Sequence, residues 1–301
     1  MGSGISGTAA RTVAIDRNTN FAEPRSWYKR GAVKERDFES TSIVLALGLK
    51  LMIYLKNVTK TYGSVTALDA INLTFPQGIT TSLIGQSGCG KSTLLRLIIG
   101  LTYPDSGSVY FKETQVLPEV VLSLRREMGY VIQEGGLFPH LTARDNVTLM
   151  ARYVGWSKDK IDKKVDELSD LAQFPRDGLD RYPVQLSGGQ RQRVSLMRAL
   201  MFDPDVLLMD EPLGALDPMI RADLQIHLKK VFQALKKTVV LVTHDMGEAA
   251  YFGDIIVLLQ DGEVVQKGTL DDLMTSPSDQ FVTRFINAQR NSHDALDRNA
   301  R

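Results

Sequence analysis

Cysteine is nearly absent from this chain. Among 301 residues only Cys89 is one, so no disulfide can form within a single copy, a usage that fits a reducing compartment. An excess of either charge is also missing. Thirty-six Lys and Arg stand against 35 Asp and Glu, a formal net charge of +1. Nucleic-acid binders carry a strong basic bias, so no nucleic-acid partner is expected. Long apolar runs are lacking too. Ile43 to Leu51 is the best candidate, far short of the roughly 20 residues that cross a bilayer. Met1 to Asn20 is polar and rich in Gly, Ser and Thr, without the apolar centre of a signal peptide. Any membrane role is therefore expected to come through a partner.

What is present reads as an α/β protein, with 43% apolar and 24% charged residues. Residues 1–51 show no sustained period and are expected to be disordered or foreign to the natural chain. The folded domain is expected over residues 52–275, and a C-terminal helix with a polar tail over 276–301. The first strand pattern is Ile53-Tyr54-Leu55. Val206–Met209 and Val239–Val242 are continuous apolar runs, the mark of central parallel strands covered on both faces. Helical spacing predicts helices over Lys91–Ile99, Asp145–Tyr153, Lys158–Ala172, Gly189–Phe202 and Pro218–Leu235. Ile255–Lys267 reads as two strands turning at Asp261-Gly262. A short helix is expected near Asp279–Asn287, with the chain frayed from Gln289.

Gly85-Gln86-Ser87-Gly88-Cys89-Gly90-Lys91-Ser92 fits G-x-x-x-x-G-K-[ST]. Its glycines let the backbone turn successive N–H groups toward a phosphate, and the helix after it adds a partial positive end. Lys91 would reach the β- and γ-phosphates and Ser92 would ligate Mg²⁺. The pattern requires a strand before the loop and a helix after it, and Thr80–Ile84 and Lys91–Ile99 supply them. Cys89 stands beside a helix start, where thiol pKa values fall. The loop by itself specifies a nucleoside triphosphate and no particular enzyme.

Val206–Met209 runs into Asp210-Glu211. One carboxylate can serve the metal and the next can polarise an attacking water, so Asp210 is the metal candidate and Glu211 the general base. Thr243-His244-Asp245 follows the neighbouring apolar run, which puts His244 within reach of the γ-phosphate and Glu211. Leu186-Ser187-Gly188-Gly189-Gln190 precedes a helix. Ser187 would cap it and the glycines would expose its first N–H groups, a second anion site without a lysine.

With this last motif the chain resembles the ABC transporter ATPase family from about Met52 to Lys267. The order agrees: phosphate loop, Gln133, Leu186–Gln190, Asp210-Glu211, Ala215-Leu216-Asp217, His244. The resemblance implies a P-loop NTPase core with a mostly parallel sheet, an antiparallel β subdomain and an inserted α-helical subdomain over about 134–188. It implies ATP and Mg²⁺ as ligands and a head-to-tail homodimer. Each ATP would lie between the phosphate loop of one copy, through Thr93, and Ser187, Gly188, Gly189 and Gln190 of the other. Tyr62 would stack on adenine. Gln133 would sense the γ-phosphate and Mg²⁺, and Asp217 would touch the opposing phosphate loop. Gly214 departs from the Ser commoner before Ala-Leu-Asp, which puts one interfacial hydrogen bond in doubt.

Glu134-Gly135-Gly136-Leu137-Phe138-Pro139-His140, Tyr182-Pro183-Val184-Gln185 and Pro218-Met219-Ile220-Arg221 are similar to the osmoprotectant branch of importers, for glycine betaine, choline or carnitine. That implies transmembrane permease subunits as partners, a solute-binding protein acting indirectly, and a peripheral place on the cytoplasmic face of the inner (plasma) membrane. The short segment after Lys267 is not expected to hold the paired regulatory domains of that branch. The permease would dock between Gln133 and Ala172, with Phe138, Leu141 and Trp156 as candidate apolar contacts. Three readings stay open beside it: an importer ATPase for another solute, a soluble ABC-type ATPase acting on nucleic acid or the ribosome, and export rather than import.

Overall fold

The computed structural model describes residues 50–214 and 216–299. The expectation for the N-terminal segment, except its last two residues, and the motif residue Ala215 lie outside them. Two long strands, β1 (Leu51–Tyr62) and β2 (Val65–Pro76), form an antiparallel ribbon. Its register shifts at several points, so neither strand keeps a clean two-residue alternation. After β3 (Thr80–Gly85) comes helix α1 (Lys91–Ile98), then β4 (Ser106–Phe111) and β5 (Thr114–Gln115). A short helix α2 (Val121–Leu124) leads to β6 (Met128–Val131).

Helices α3 (Ala143–Tyr153), α4 (Lys158–Ala172) and α5 (Gly188–Leu200) follow. In α4 the buried residues Ile161, Val165, Leu168 and Ala172 recur at helical spacing, and Ser157 caps its start. Then come β7 (Val206–Asp210), α6 (Pro218–Leu235), β8 (Thr238–Val242) and α7 (Met246–Phe252). The hairpin β9 (Ile255–Gln260) and β10 (Glu263–Gly268) turns at Asp261-Gly262 as expected. Helix α8 (Leu270–Thr275) and helix α9 (Gln280–Asn299) close the chain. The last helix runs well past Asn287, so the segment expected to fray from Gln289 is helical.

The strands make two sheets. Four antiparallel strands lie in the order β2-β1-β4-β5, and six lie in the order β10-β9-β3-β8-β7-β6. In the larger sheet every neighbouring pair is parallel except the β9–β10 edge. Alternation explains its continuous apolar runs. Val206, Leu208, Val240 and Val242 face α1 and the antiparallel sheet. Leu207, Met209, Val239 and Leu241 face the helical side with α3 to α6. Both faces are covered, so each position is buried and apolar. A third cluster packs Ile84, Ile256 and Leu258 against Leu273, Val282 and Ile286. Among the described residues no helix is long and apolar enough to cross a membrane.

Candidate nucleotide site

Strands β3, β8 and β7 are adjacent and parallel, so their carboxyl ends lie side by side. Open α/β sheets bind ligands at this edge. The loop after β3 bends sharply there. A Cβ on Gly85 would stand 2.2 Å from the Leu259 carbonyl oxygen, and one on Gly90 would stand 2.4 Å from that of Ala67. Only glycine fits either position. Lys91, the first residue of α1, is 5% exposed. Its Nζ donates to the carbonyls of Gly85 (2.8 Å) and Gln86 (2.9 Å) and lies 3.7 Å from Cys89 Sγ.

Beside the loop, Ser92 Oγ donates to Asp210 Oδ1 at 3.1 Å. Asp210 ends β7 and is buried. Burial pushes its carboxyl above the usual range and the neighbouring Glu211 adds to the rise, while the Ser92 hydrogen bond and the charges of Arg96 and Lys91 oppose it. Tyr130 on β6 is a further member that no sequence motif signalled. Burial, and then the Asp210 charge, push its phenol up to about 12, so it is a neutral wall of the site.

Glu211 follows with φ of 45°, a left-handed conformation that a non-glycine residue adopts at a cost of about 1–3 kcal/mol. Its N–H is fixed to the Val242 carbonyl at 3.0 Å. The side chain meets two of the candidate site residues. Glu211 Oε2 lies 3.3 Å from His244 Nδ1 and accepts from Gln133 Nε2 at 3.5 Å. A network behind His244 holds that loop. Thr243 Oγ1 donates to Glu248 Oε2 (2.6 Å) and accepts from Asp245 N–H (3.1 Å), while Asp245 Oδ1 accepts from Glu248 N–H (2.9 Å). Glu248 is buried, and burial raises its carboxyl above the ordinary value against the pull of the Thr243 bond.

Residues 68–214 match the family described as "ABC transporter". Over 240 residues the chain is 43% identical to the choline transport ATP-binding protein OpuBA of Bacillus subtilis, covering 79% of this chain and 63% of that protein. Over 235 residues it is 45% identical to the glycine betaine uptake system ATP-binding protein YehX of Escherichia coli, covering 78% and 76%. Among solved structures, the dimeric post-hydrolysis state of the ATP-binding cassette MJ0796 bound to ADP and Pi superposes with a TM-score of 0.66. It shares 39% identity and covers 73% of this chain and 99% of that one. This chain belongs to the ABC transporter family. It spans under two thirds of the length of OpuBA.

The signature segment of this ABC protein stands apart from the rest. Ser187 caps α5, accepting from Gln190 N–H at 3.2 Å, while Gln190 Oε1 accepts from Ser187 N–H at 2.9 Å. Among the described residues no hydrogen bond joins residues 186–190 to the phosphate loop or to Asp210 and Glu211. The glycines also answer to packing. A Cβ on Gly189 would stand 2.6 Å from Ile220 of α6. Asp217 caps α6, accepting from Ile220 N–H at 3.0 Å.

Tyr62 is 47% exposed, with Lys60 Nζ 5.5 Å from its ring centre. Asp105 fixes this strand end by accepting from Lys60 Nζ (2.8 Å), Thr61 N–H (2.6 Å) and Thr61 Oγ1 (2.7 Å). Those bonds, Lys60 first, hold its carboxyl down at about 2.

One expectation is overturned. The Cys89 thiol does not fall in pKa: burial raises it and outweighs the Lys91 charge and hydrogen bonds. Of the candidate docking residues, Phe138 is exposed, but Trp156 packs edge-on against Phe202 with ring centres 5.3 Å apart. Leu141 is half-buried. The loop after Gln133 is tied at both ends by groups that carried no motif. Asn146 Oδ1 accepts from Phe138 N–H at 2.7 Å, and Arg198 binds the two glycine carbonyls further back.

Proposed function

We propose that this chain is the ATP-hydrolysing subunit of an ABC importer for a quaternary-amine osmoprotectant such as glycine betaine, choline or carnitine. It would work as a homodimer beneath transmembrane permease subunits on the cytoplasmic face of the inner (plasma) membrane, served indirectly by a solute-binding protein. The observation that carries the enzymatic part is Glu211, strained in backbone and set between His244 and Gln133 at the mouth of the phosphate loop. The solute rests on the likeness to OpuBA and YehX, named for choline transport and glycine betaine uptake.

The loop Gly85, Gln86, Ser87, Gly88, Cys89 and Gly90, with Lys91, Ser92 and Thr93, binds the phosphates through backbone N–H groups and the start of α1. Lys91 exchanges a loop carbonyl for a phosphate oxygen. Ser92 Oγ, the Asp210 carboxylate and the Gln133 amide oxygen are hard oxygen donors that suit Mg²⁺, and the 3.1 Å Ser92–Asp210 contact already brings two of them together. Bound there, the cation neutralises charge on the β- and γ-phosphates. Tyr62 stacks on adenine. Glu211 takes the proton of the attacking water, and His244 holds the Glu211 carboxylate and the γ-phosphate in register. Ser187, Gly188, Gly189 and Gln190 of the second copy close over the same ATP, with Asp217 bridging to the opposing loop. A ligand gripped by two copies stabilises only the paired state, so ATP binding and hydrolysis shift the pairing equilibrium.

Glu211→Gln tests this reading. It removes the base and leaves the phosphate contacts, so MgATP should convert the variant into stable dimers with nucleotide affinity retained. Turnover at the wild-type rate by that variant would refute Glu211 as the base. For the solute, uptake of labelled glycine betaine, choline and carnitine by the assembled transporter is the measurement, and transport of none of them removes the osmoprotectant assignment.

A further inference from the structure

One charged side chain outside the motifs grips the loop that carries Gln133. Arg198 lies near the carboxyl end of α5, the helix that Ser187 caps. Its Nη1 donates to the Gly136 carbonyl at 2.8 Å and its Nη2 to the Gly135 carbonyl at 2.9 Å. Among the described residues it makes no salt bridge, although burial disfavours its charge. A guanidinium withdrawn from water without a carboxylate is costly unless its donors are used. Here they are spent on two successive carbonyls of one short turn, Gln133–Gly135 and the residue after it. The rigid fork of arginine matches that pair, whereas a lysine can satisfy one of them at a time.

The same helix face is polar elsewhere. Gln192 and Ser195 stand six and three residues before Arg198 in the chain, and a Cβ on Gly135 would lie 3.7 Å from each of their side chains. Both are buried, and Gln192 Nε2 and Ser195 Oγ have no hydrogen-bond partner. Successive residues on this face are three apart, so all three look toward the loop. Only Arg198 of the three anchors it.

We propose that Arg198 is the positioning residue for Gln133. Through its two carbonyl bonds the signature helix α5 supports the loop that brings Gln133 to Glu211 at 3.5 Å. The cap Ser187 and Arg198 are 11 residues apart, about 16 Å along one rigid rod. The element that presents Ser187 to one nucleotide thereby sets Gln133 at the other. This rests on Gln133 serving the γ-phosphate and Mg²⁺ as read above.

The test is a mutant cycle in the full-length chain with two readouts. Arg198→Lys keeps the charge and the stem and loses the fork. It should speed amide hydrogen exchange at residues 135–138 about tenfold, with exchange in β7 and β8 unchanged. Turnover at saturating MgATP should fall about tenfold while KM for ATP stays within about threefold. Added to Gln133→Ala, Arg198→Lys should cost nothing further, because both act through one group. Multiplied losses in the double variant, or unchanged loop exchange in Arg198→Lys, would overturn the proposal. A wild-type chain that neither hydrolyses ATP nor pairs on binding it would instead sink the functional reading. In that case the exchange result still decides whether Arg198 holds the loop.

Discussion

Thr243→Val tests whether the loop beneath His244 is held by a charge. Valine matches threonine in shape but can neither donate to Glu248 nor accept from Asp245 N–H, bonds of 2.6 and 3.1 Å here. A hydrogen bond to a charged group contributes about 1.5–3 kcal/mol, and leaving a buried acceptor unpaired adds to the loss. The Glu248 pKa is already raised by burial, and Thr243 is the largest influence opposing that rise. A carboxyl whose folded pKa lies above its unfolded value loses stability as pH climbs from the unfolded value through the folded one. Removing Thr243 lifts the folded value further and widens that window. The variant should therefore be less stable by about 1 kcal/mol on the acid side of that window and by about 2–3 kcal/mol on its alkaline side. Urea unfolding on the two sides, on the wild type and the variant, measures the difference directly. Equal losses at both would refute a charged Glu248 as the reason this loop holds. Adding Glu248→Gln should abolish the pH dependence of the loss.

Two further outcomes follow from the site. Alkylation of Cys89 should be slow at neutral pH and quicken as pH rises beyond the ordinary thiol range, because burial raises its pKa; MgATP should protect it, and mass spectrometry of the labelled peptide scores both. Asp105→Ala should raise KM for ATP by about two- to fivefold and spare kcat, since it frees the strand end that carries Tyr62. The wild-type contribution of Asp105 should stay flat from pH 9 down to pH 5, because a carboxylate held at about 2 loses its proton-free form only as pH falls toward that value.

Local chemistry made much of this molecule readable. The helix limits of α4 and α6 agree with their apolar spacing and with the caps Ser157 and Asp217. The buried strands β7 and β8 announced themselves because both faces are covered. The ribbon β1–β2 did not, since its register shifts scramble the two-residue pattern from Leu55 to Thr61. The length of α9 was also hidden. Its first turns pack Val282 and Ile286 on the sheet, while its later sequence has no comparable apolar spacing to advertise a helix. In the site, the motif residues came from the sequence and their supports did not. Asp105, Tyr130 and Arg198 act through partners far along the chain or through carbonyl groups, and Glu248 through a hydroxyl five residues before it, contacts that no spacing rule reports. At Cys89 burial outweighs the helix start, and no local pattern reports that burial.

The separation between the phosphate loop and the Ser187 cap has a consequence for inheritance. In the pair proposed above each copy would carry two unlike half-sites, with no hydrogen bond between them among the described residues, so a fault in one copy would fall on different sites according to which half it strikes. On that arrangement a copy lacking Lys91 and a copy lacking Ser187, mixed, would assemble one site with both faults and one with neither. Two alleles that are each inactive alone would then restore a working site together, which a self-contained site could never allow.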